Sequence, residues 1–175
     1  MTLPFKKTAL LATLATLAFC PAQAELIISE FVADSAGTIL DSDGDDSDWI
    51  ELHNPTGGTL STAGLFLTDE QDQPSKWALP SVDLAPLEYL IVFASGKDRS
   101  DPTGELHTNF SLSASGEYLG LIDADGVTPI AEFADEKRQF FGTAFGFGIP
   151  EDADVGTAPQ IGYLASPTPG MPNAA

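Results

Sequence analysis

The chain is poor in cysteine, in positive charge and in helical periodicity. Its 175 residues hold one cysteine and two histidines, and 7 Lys+Arg stand against 26 Asp+Glu, a formal net charge of −19. One cysteine forms no intrachain disulfide, so the fold has to be held by its core and, where the chemistry allows, by a metal. The shortage of bases excludes nucleic acid and anionic lipid as main partners, because both would be repelled. It favours solubility and the binding of cations. Two histidines without further nitrogen or sulfur ligands do not make a zinc centre. After residue 24, no apolar run approaches the ~20 residues that a membrane-spanning helix needs.

What is present begins with a leader pattern. Lys6 and Lys7 precede an apolar stretch from Thr8 to Phe19, and Ala22-Gln23-Ala24 follows as a small-x-small cleavage site. The pattern predicts a secretory signal peptide over 1–24 and a mature domain over 25–175, periplasmic or secreted. Phe19 and Pro21 flank Cys20 where lipoprotein processing wants a small residue, so a soluble product is expected, without membrane attachment after cleavage. Loss of Lys6, Lys7 and Cys20 leaves no cysteine and five bases against 26 acids, a charge of −21.

The mature chain reads as a succession of short strands, each ended by Gly, Pro, Asp or Ser. Leu26 to Val32 is nearly continuous apolar, as in a strand covered on both faces. Trp49 to Asn54 alternates, with Ile50 and Leu52 on one side and Glu51 and His53 on the other. Further runs are Leu65 to Leu67, Trp77 to Leu79, Tyr89 to Ala94, and the pair Tyr118 to Ile122 and Ile130 to Phe133. Asp125-Gly126 between the last two is a hairpin signal. Phe140 to Phe147 suits a twisted late strand, and Pro167 to Pro172 an extended tail. Turns recur every ~8–12 residues, which favours a β-sandwich or barrel over any βαβ arrangement. The inward candidates are Ile28, Ile50, Leu52, Leu67, Leu90, Val92, Leu119 and Leu121.

Several stretches, in order, resemble the lamin tail domain family in its bacterial secreted branch. They are Leu26-Ile-Ile-Ser-Glu-Phe31, Asp41-Ser-Asp-Gly-Asp-Asp-Ser-Asp-Trp-Ile-Glu-Leu-His-Asn-Pro55, Gly64-Leu-Phe-Leu-Thr-Asp69 and Lys76-Trp77. Ala94-Ser-Gly-Lys-Asp-Arg99, Leu106-His-Thr-Asn-Phe110, Gly116-Glu-Tyr-Leu119 and Pro167-Thr-Pro-Gly-Met-Pro-Asn173 complete the set. The resemblance implies an all-β, immunoglobulin-like β-sandwich. It implies little about activity. Relatives occur as interaction domains in nuclear lamins and among exported bacterial proteins, so a non-catalytic interaction module is expected, with a carbohydrate- or matrix-binding module as the second reading and an unrecognised secreted hydrolase as the third. The expected partner is an extracellular protein or polysaccharide. Such sandwiches host many functions, so the site has to be argued from its own residues.

The strongest local signal is the loop Asp41 to Asp48, with five carboxylates in eight residues. Neighbouring carboxylates repel, and a hard dication relieves this by taking their oxygens as ligands. The Asp-x-Asp-x-Asp start is similar to an EF-hand loop, but the sixth position is Asp46 and the twelfth is Leu52. The loop is a candidate calcium site formed by Asp41, Asp43 and Asp45, completed by Asp48 or by a distant acid such as Glu30 or Asp69. No basic residue lies near it in the sequence. His107 is expected to anchor a loop. Ser95 lacks a G-x-S-x-G turn and an evident base, so it is not read as a nucleophile. Trp49 and Trp77 would stack on sugar rings if exposed, which is the basis of a carbohydrate-binding alternative.

Overall fold

The computed structural model describes residues 25–134, 138–148, 160–164 and 166–173. Among them, twelve strands occur and no helix. They are β1 (Ile27–Val32), β2 (Trp49–His53), β3 (Leu60–Ser61), β4 (Phe66–Thr68), β5 (Trp77–Ala78) and β6 (Asp83–Leu84). β7 (Tyr89–Phe93), β8 (Leu106–His107), β9 (Leu119–Ile122), β10 (Pro129–Phe133), β11 (Phe145–Gly148) and β12 (Gln160–Tyr163) follow.

Six strands form one sheet in the order β12-β11-β1-β2-β7-β8, and four form a second in the order β10-β9-β4-β5; β3 and β6 make a separate ribbon. The pairings are antiparallel except for β7 with β8. Packed face to face, the two larger sheets make the expected immunoglobulin-like sandwich. The period-2 reading of β2 holds on its inner side: Ile50 and Leu52 are fully buried in the core with Ile28, Leu67, Val92, Leu119 and Leu121. Leu90 faces the same core but is half-buried.

The other side of β2 is not a solvent face. Trp49 and Glu51 have no exposed surface, and a second apolar cluster of Val32, Trp49, Phe93, Ala144 and Leu164 covers the outside of the large sheet. That explains the nearly unbroken apolar run of β1, which is covered on both sides. Trp77 is buried as well, its indole N–H donating to Asp98 Oδ1 at 3.1 Å. Neither tryptophan is available to stack on a sugar, so that basis of the carbohydrate alternative is removed.

Several elements carry no clear sequence signal. The two-residue strands β3, β6 and β8 are too short for a period. The expected late strand begins at Phe145, because Phe140 to Thr143 is a turn closed by Thr143 N–H on Phe140 O at 2.9 Å. β11 runs so close to β1 that a Cβ on Gly146 would lie 2.2 Å from Ser29 O, so only glycine fits there.

Candidate functional site

The acidic loop joins β1 to β2 and folds around Asp41. Asp41 Oδ1 accepts the backbone N–H groups of Asp43 and Asp45, each at 3.0 Å, and Oδ2 accepts the Ser47 hydroxyl at 3.0 Å. Gly44, at φ 84°, supplies the left-handed residue that closes the turn. Asp41, Asp43 and Asp45 bring carboxylate oxygens within 4.8 Å of one another.

A cation already sits at that point. Lys97 Nζ lies 2.6 Å from Asp41, 2.7 Å from Asp43 and 2.9 Å from Asp45, and Arg99 adds a 2.7 Å contact to Asp43. The expectation that no base offsets the loop is therefore overturned. The loop after β7, with Gly96 and Asp98 both at positive φ, folds back over the acids and delivers residues distant in sequence. Burial works to raise the Asp41 pKa, but the Lys97 ammonium and three hydrogen bonds outweigh it and hold the carboxyl well below the usual range. The same contacts, with Asp41 first, hold Lys97 protonated.

The other acids named as ligands lie elsewhere. Asp48 turns to Ser35 N–H at 3.3 Å, and burial pushes its carboxyl up to about 6. Asp69 pairs with Lys76 at 2.6 Å, and Glu30 belongs to a separate site on β1. Three convergent oxygens fit part of a calcium shell, which takes six to eight. Water would have to supply the rest, and Lys97 would have to leave.

Beside this loop lies an arrangement that the sequence did not signal. The Ser95 hydroxyl is 2.8 Å from His107 Nδ1, and Glu105 Oε2 is 3.8 Å from His107 Nε2. Ser95 thus has the base that its sequence context did not reveal. The three groups nevertheless fasten loops. His107 is fully buried and stacked on Phe93, with ring centroids 5.2 Å apart. Burial, together with Arg99 and Lys97, lowers its pKa and keeps it neutral near pH 7. Ser95 Oγ accepts Lys97 N–H at 3.4 Å, and Glu105 accepts Ser42 N–H at 2.6 Å. His107 is the loop anchor expected of it.

The second acidic site is a pair, Glu30 on β1 and Glu51 on β2, directly opposite in register and both without exposed surface. A β-bulge between Ile28 and Glu30 turns Ser29 toward the pair, and its hydroxyl donates to Glu51 Oε1 at 2.5 Å. The C-terminal segment closes over both acids. Thr168 N–H donates to Glu30 at 2.9 Å and Gly170 N–H to Glu51 at 2.6 Å. Asn173 Nδ2 donates to Ser29 O and Phe147 O, each at 3.0 Å. Burial pushes Glu30 up to about 7, and burial raises Glu51 too. The tail, expected to be extended, closes over the acids as a strap. Its Thr-Pro-Gly-Met-Pro-Asn spacing was the available signal, since it sets two N–H donors either side of a proline.

Next to the strap runs a groove of about 230 Å³ lined by Ile27, His53, Tyr89, Phe147 and Pro172. His53 and Tyr89 stack there at 4.0 Å and 15°.

No curated protein and no solved structure matches the chain. The family model of the Lamin Tail Domain matches residues 21–136, from before β1 to just past β10, and so takes in the acidic residues of both sites but not the strap. With two thirds of its length matched and an immunoglobulin-like sandwich in place, the chain belongs to the lamin tail domain family, a family of binding domains rather than a class of enzymes.

Proposed function

We propose that the protein is an exported, non-catalytic binding module of lamin-tail type, working outside the cytoplasm on a protein or polysaccharide. The observation that carries this reading is how its reactive groups are spent. Ser95, His107 and Glu105 hold loops together, and Glu30 and Glu51 accept the strap's N–H groups. A nucleophile needs a base and a free oxyanion site, whereas the Gly96 amide beside Ser95 already donates to Phe110 O at 3.0 Å. The charge of −19 supports a partner other than nucleic acid. The leader pattern supports export, and the Asp41, Asp43 and Asp45 oxygens support weak calcium binding in exchange for Lys97.

Two measurements test the reading. The intact mass of the exported protein should correspond to a chain starting at Glu25; retention of 1–24 would contradict export by cleavage. Hydrolysis of activated esters should be the same for the protein and for Ser95→Ala, and a loss of turnover in the variant would overturn the non-catalytic assignment.

A further inference from the structure

The two sheets of the sandwich do not match in width. The small sheet ends at β10, which pairs with β9 and has no strand on its other side among the described residues. The large sheet continues past that point. Phe133 of β10 packs on Phe31 of β1 and on Phe145 and Phe147 of β11, at centroid distances of 5.2 to 6.0 Å, so β10 lies over β1 and β11. β12 lies beyond it.

The register shows which face is left over. Tyr163 pairs with Phe145 and Ile161 with Phe147, and cross-strand partners share a side of the sheet. Ile161 and Tyr163 therefore point to the inner side, where a facing sheet would cover them. They are instead 55% and 42% exposed, and Phe140, with its ring 5.1 Å from Tyr163, is 49% exposed. Among the described residues, an open strand edge and an exposed apolar face thus lie side by side.

We propose that β10 is a docking edge that accepts an extended segment of a basic partner protein as a fifth strand of the small sheet. A strand hydrogen-bonded to β10 would lie about 4.8 Å from it, with the large sheet about 10 Å away, and so would sit over β12. Its alternate side chains would fall on Ile161, Tyr163 and Phe140, while its backbone would satisfy the free edge of β10. The chemistry of the occupant follows from the charge around that edge. Along β9, β10 and their hairpin the acids Asp123, Asp125 and Glu132 are exposed and there is no Lys or Arg. At the Phe140 end Arg138 lies over the ring, 5.8 Å from its centroid, so the acidic part of the edge is the stretch from Asp123 to Glu132. The partner strand is therefore apolar on one side and basic on the other.

Other occupants fit less well. A second copy would bring a charge of −19 against −19. The sequence 149–159, which joins β11 to β12, has prolines at 150 and 159 and three acids, the wrong composition for an alternating strand. A sugar would need coplanar rings, but Phe140 and Tyr163 are inclined at 63°.

This inference rests on the binding-module reading, and its test leaves that reading standing if it fails. The probe is the peptide Lys-Val-Lys-Ile-Lys-Tyr-Lys-Val, titrated calorimetrically into the exported protein at physiological salt, beside a peptide of the same composition with its lysines in one block. The alternating peptide should bind at least tenfold more tightly than the block peptide. Ile161→Ser and Phe140→Ser should each weaken it severalfold, and so should Glu132→Lys. Ile161 is exposed, so an unchanged melting curve is expected to accompany the loss of binding in its variant, and Tyr118→Phe, which removes the 2.9 Å hydrogen bond to Glu132, is the control for Glu132→Lys. Amide exchange should slow along β10 on peptide addition. Equal binding of the two peptides would reduce the interaction to non-specific polycation attraction and overturn the proposal. So would slowed exchange confined to the Asp41–Asp45 loop, a dimer that protects β10 without peptide, or soluble polysaccharide binding that Phe140→Ser abolishes.

Discussion

The protein carries two clusters of carboxylates, solved in opposite ways. At the acidic loop, Asp41, Asp43 and Asp45 gather around the Lys97 ammonium, which holds the carboxyls of Asp41 and Asp43 low. At the strap, Glu30 and Glu51 face each other with no cation beside them among the described residues and receive backbone amides instead. At the loop full charges compensate full charges. Amide dipoles offset burial only in part, so Glu30 rises to about 7. Removing a residue should therefore have different consequences at the two places, and neither should resemble a cut into the apolar core.

The core sets the scale. Leu52 is fully buried beside Glu51 on β2 but points to the opposite side. Leu52→Ala should cost about 2–5 kcal/mol, measured by chemical denaturation. A loss under about 1 kcal/mol would place Leu52 at the surface and break the assignment of the two sides of β2. Glu51→Ala should cost less, about 1–3 kcal/mol, because it leaves the Ser29 hydroxyl and the Gly170 N–H without their acceptor. The strap should also loosen in that variant, seen as faster amide exchange at Gly170. Unchanged exchange would mean that the strap is held by Asn173 and Thr168 alone.

How much of this the sequence disclosed depends on the range of the interaction. The alternation of Ile50 and Leu52 marks the core because period 2 is a local property of the strand. The same alternation puts Glu51 on the other side of the strand but does not disclose its burial, because its cover is a strap 119 residues away. The carboxylates of the acidic loop were visible, but their counter-charge was not, since Lys97 is separated from Asp41 by 56 residues and reaches it through a loop with two left-handed residues. The same holds for Ser95 and His107, which meet only because β8 pairs with β7. Trp49 takes the buried role usual for a tryptophan in a sandwich, but the cluster that covers it on the outer side has no periodic signature.

The dependence on pH should separate the two clusters. Glu30 has a folded pKa raised from 4.5 to about 7, so the stability it contributes by staying protonated is complete below about 4.5 and is lost as pH rises through 7. Glu51 and Asp48 are raised as well and act in the same direction. Asp41 is depressed, so its contribution is complete above the ordinary carboxylate range and is lost on further acidification. Stability should thus be greatest near pH 4.5, where both contributions are largely present, and should decline on both sides. Glu30→Gln should flatten the decline between about pH 4.5 and 7 and leave the acid side unchanged. If Glu30→Gln flattened the acid side instead, the two clusters would be exchanged in their roles.

Calcium should give the smallest effect and the finest discrimination. Its place at the loop is held by Lys97, so binding has to displace an ammonium with three contacts of 2.6 to 2.9 Å. Among the described residues three carboxylates converge, each offering one oxygen, and affinity should fall at the weak end for such sites, on the order of 10⁻⁴–10⁻³ M. The melting temperature should rise slightly in millimolar calcium against chelator, with sodium at equal ionic strength as the control for screening. Lys97→Met should lower the melting temperature in chelator, because it leaves the three carboxylates with Arg99 on Asp43 as their remaining cation among the described residues. The same variant should bind calcium more tightly and recover in calcium what it lost. If Lys97→Met melted lower and calcium restored nothing, the loop would be a lysine-locked turn with no capacity for a metal. Its acids would then serve only to fasten the loop after β7, as Glu30 and Glu51 serve to fasten the strap.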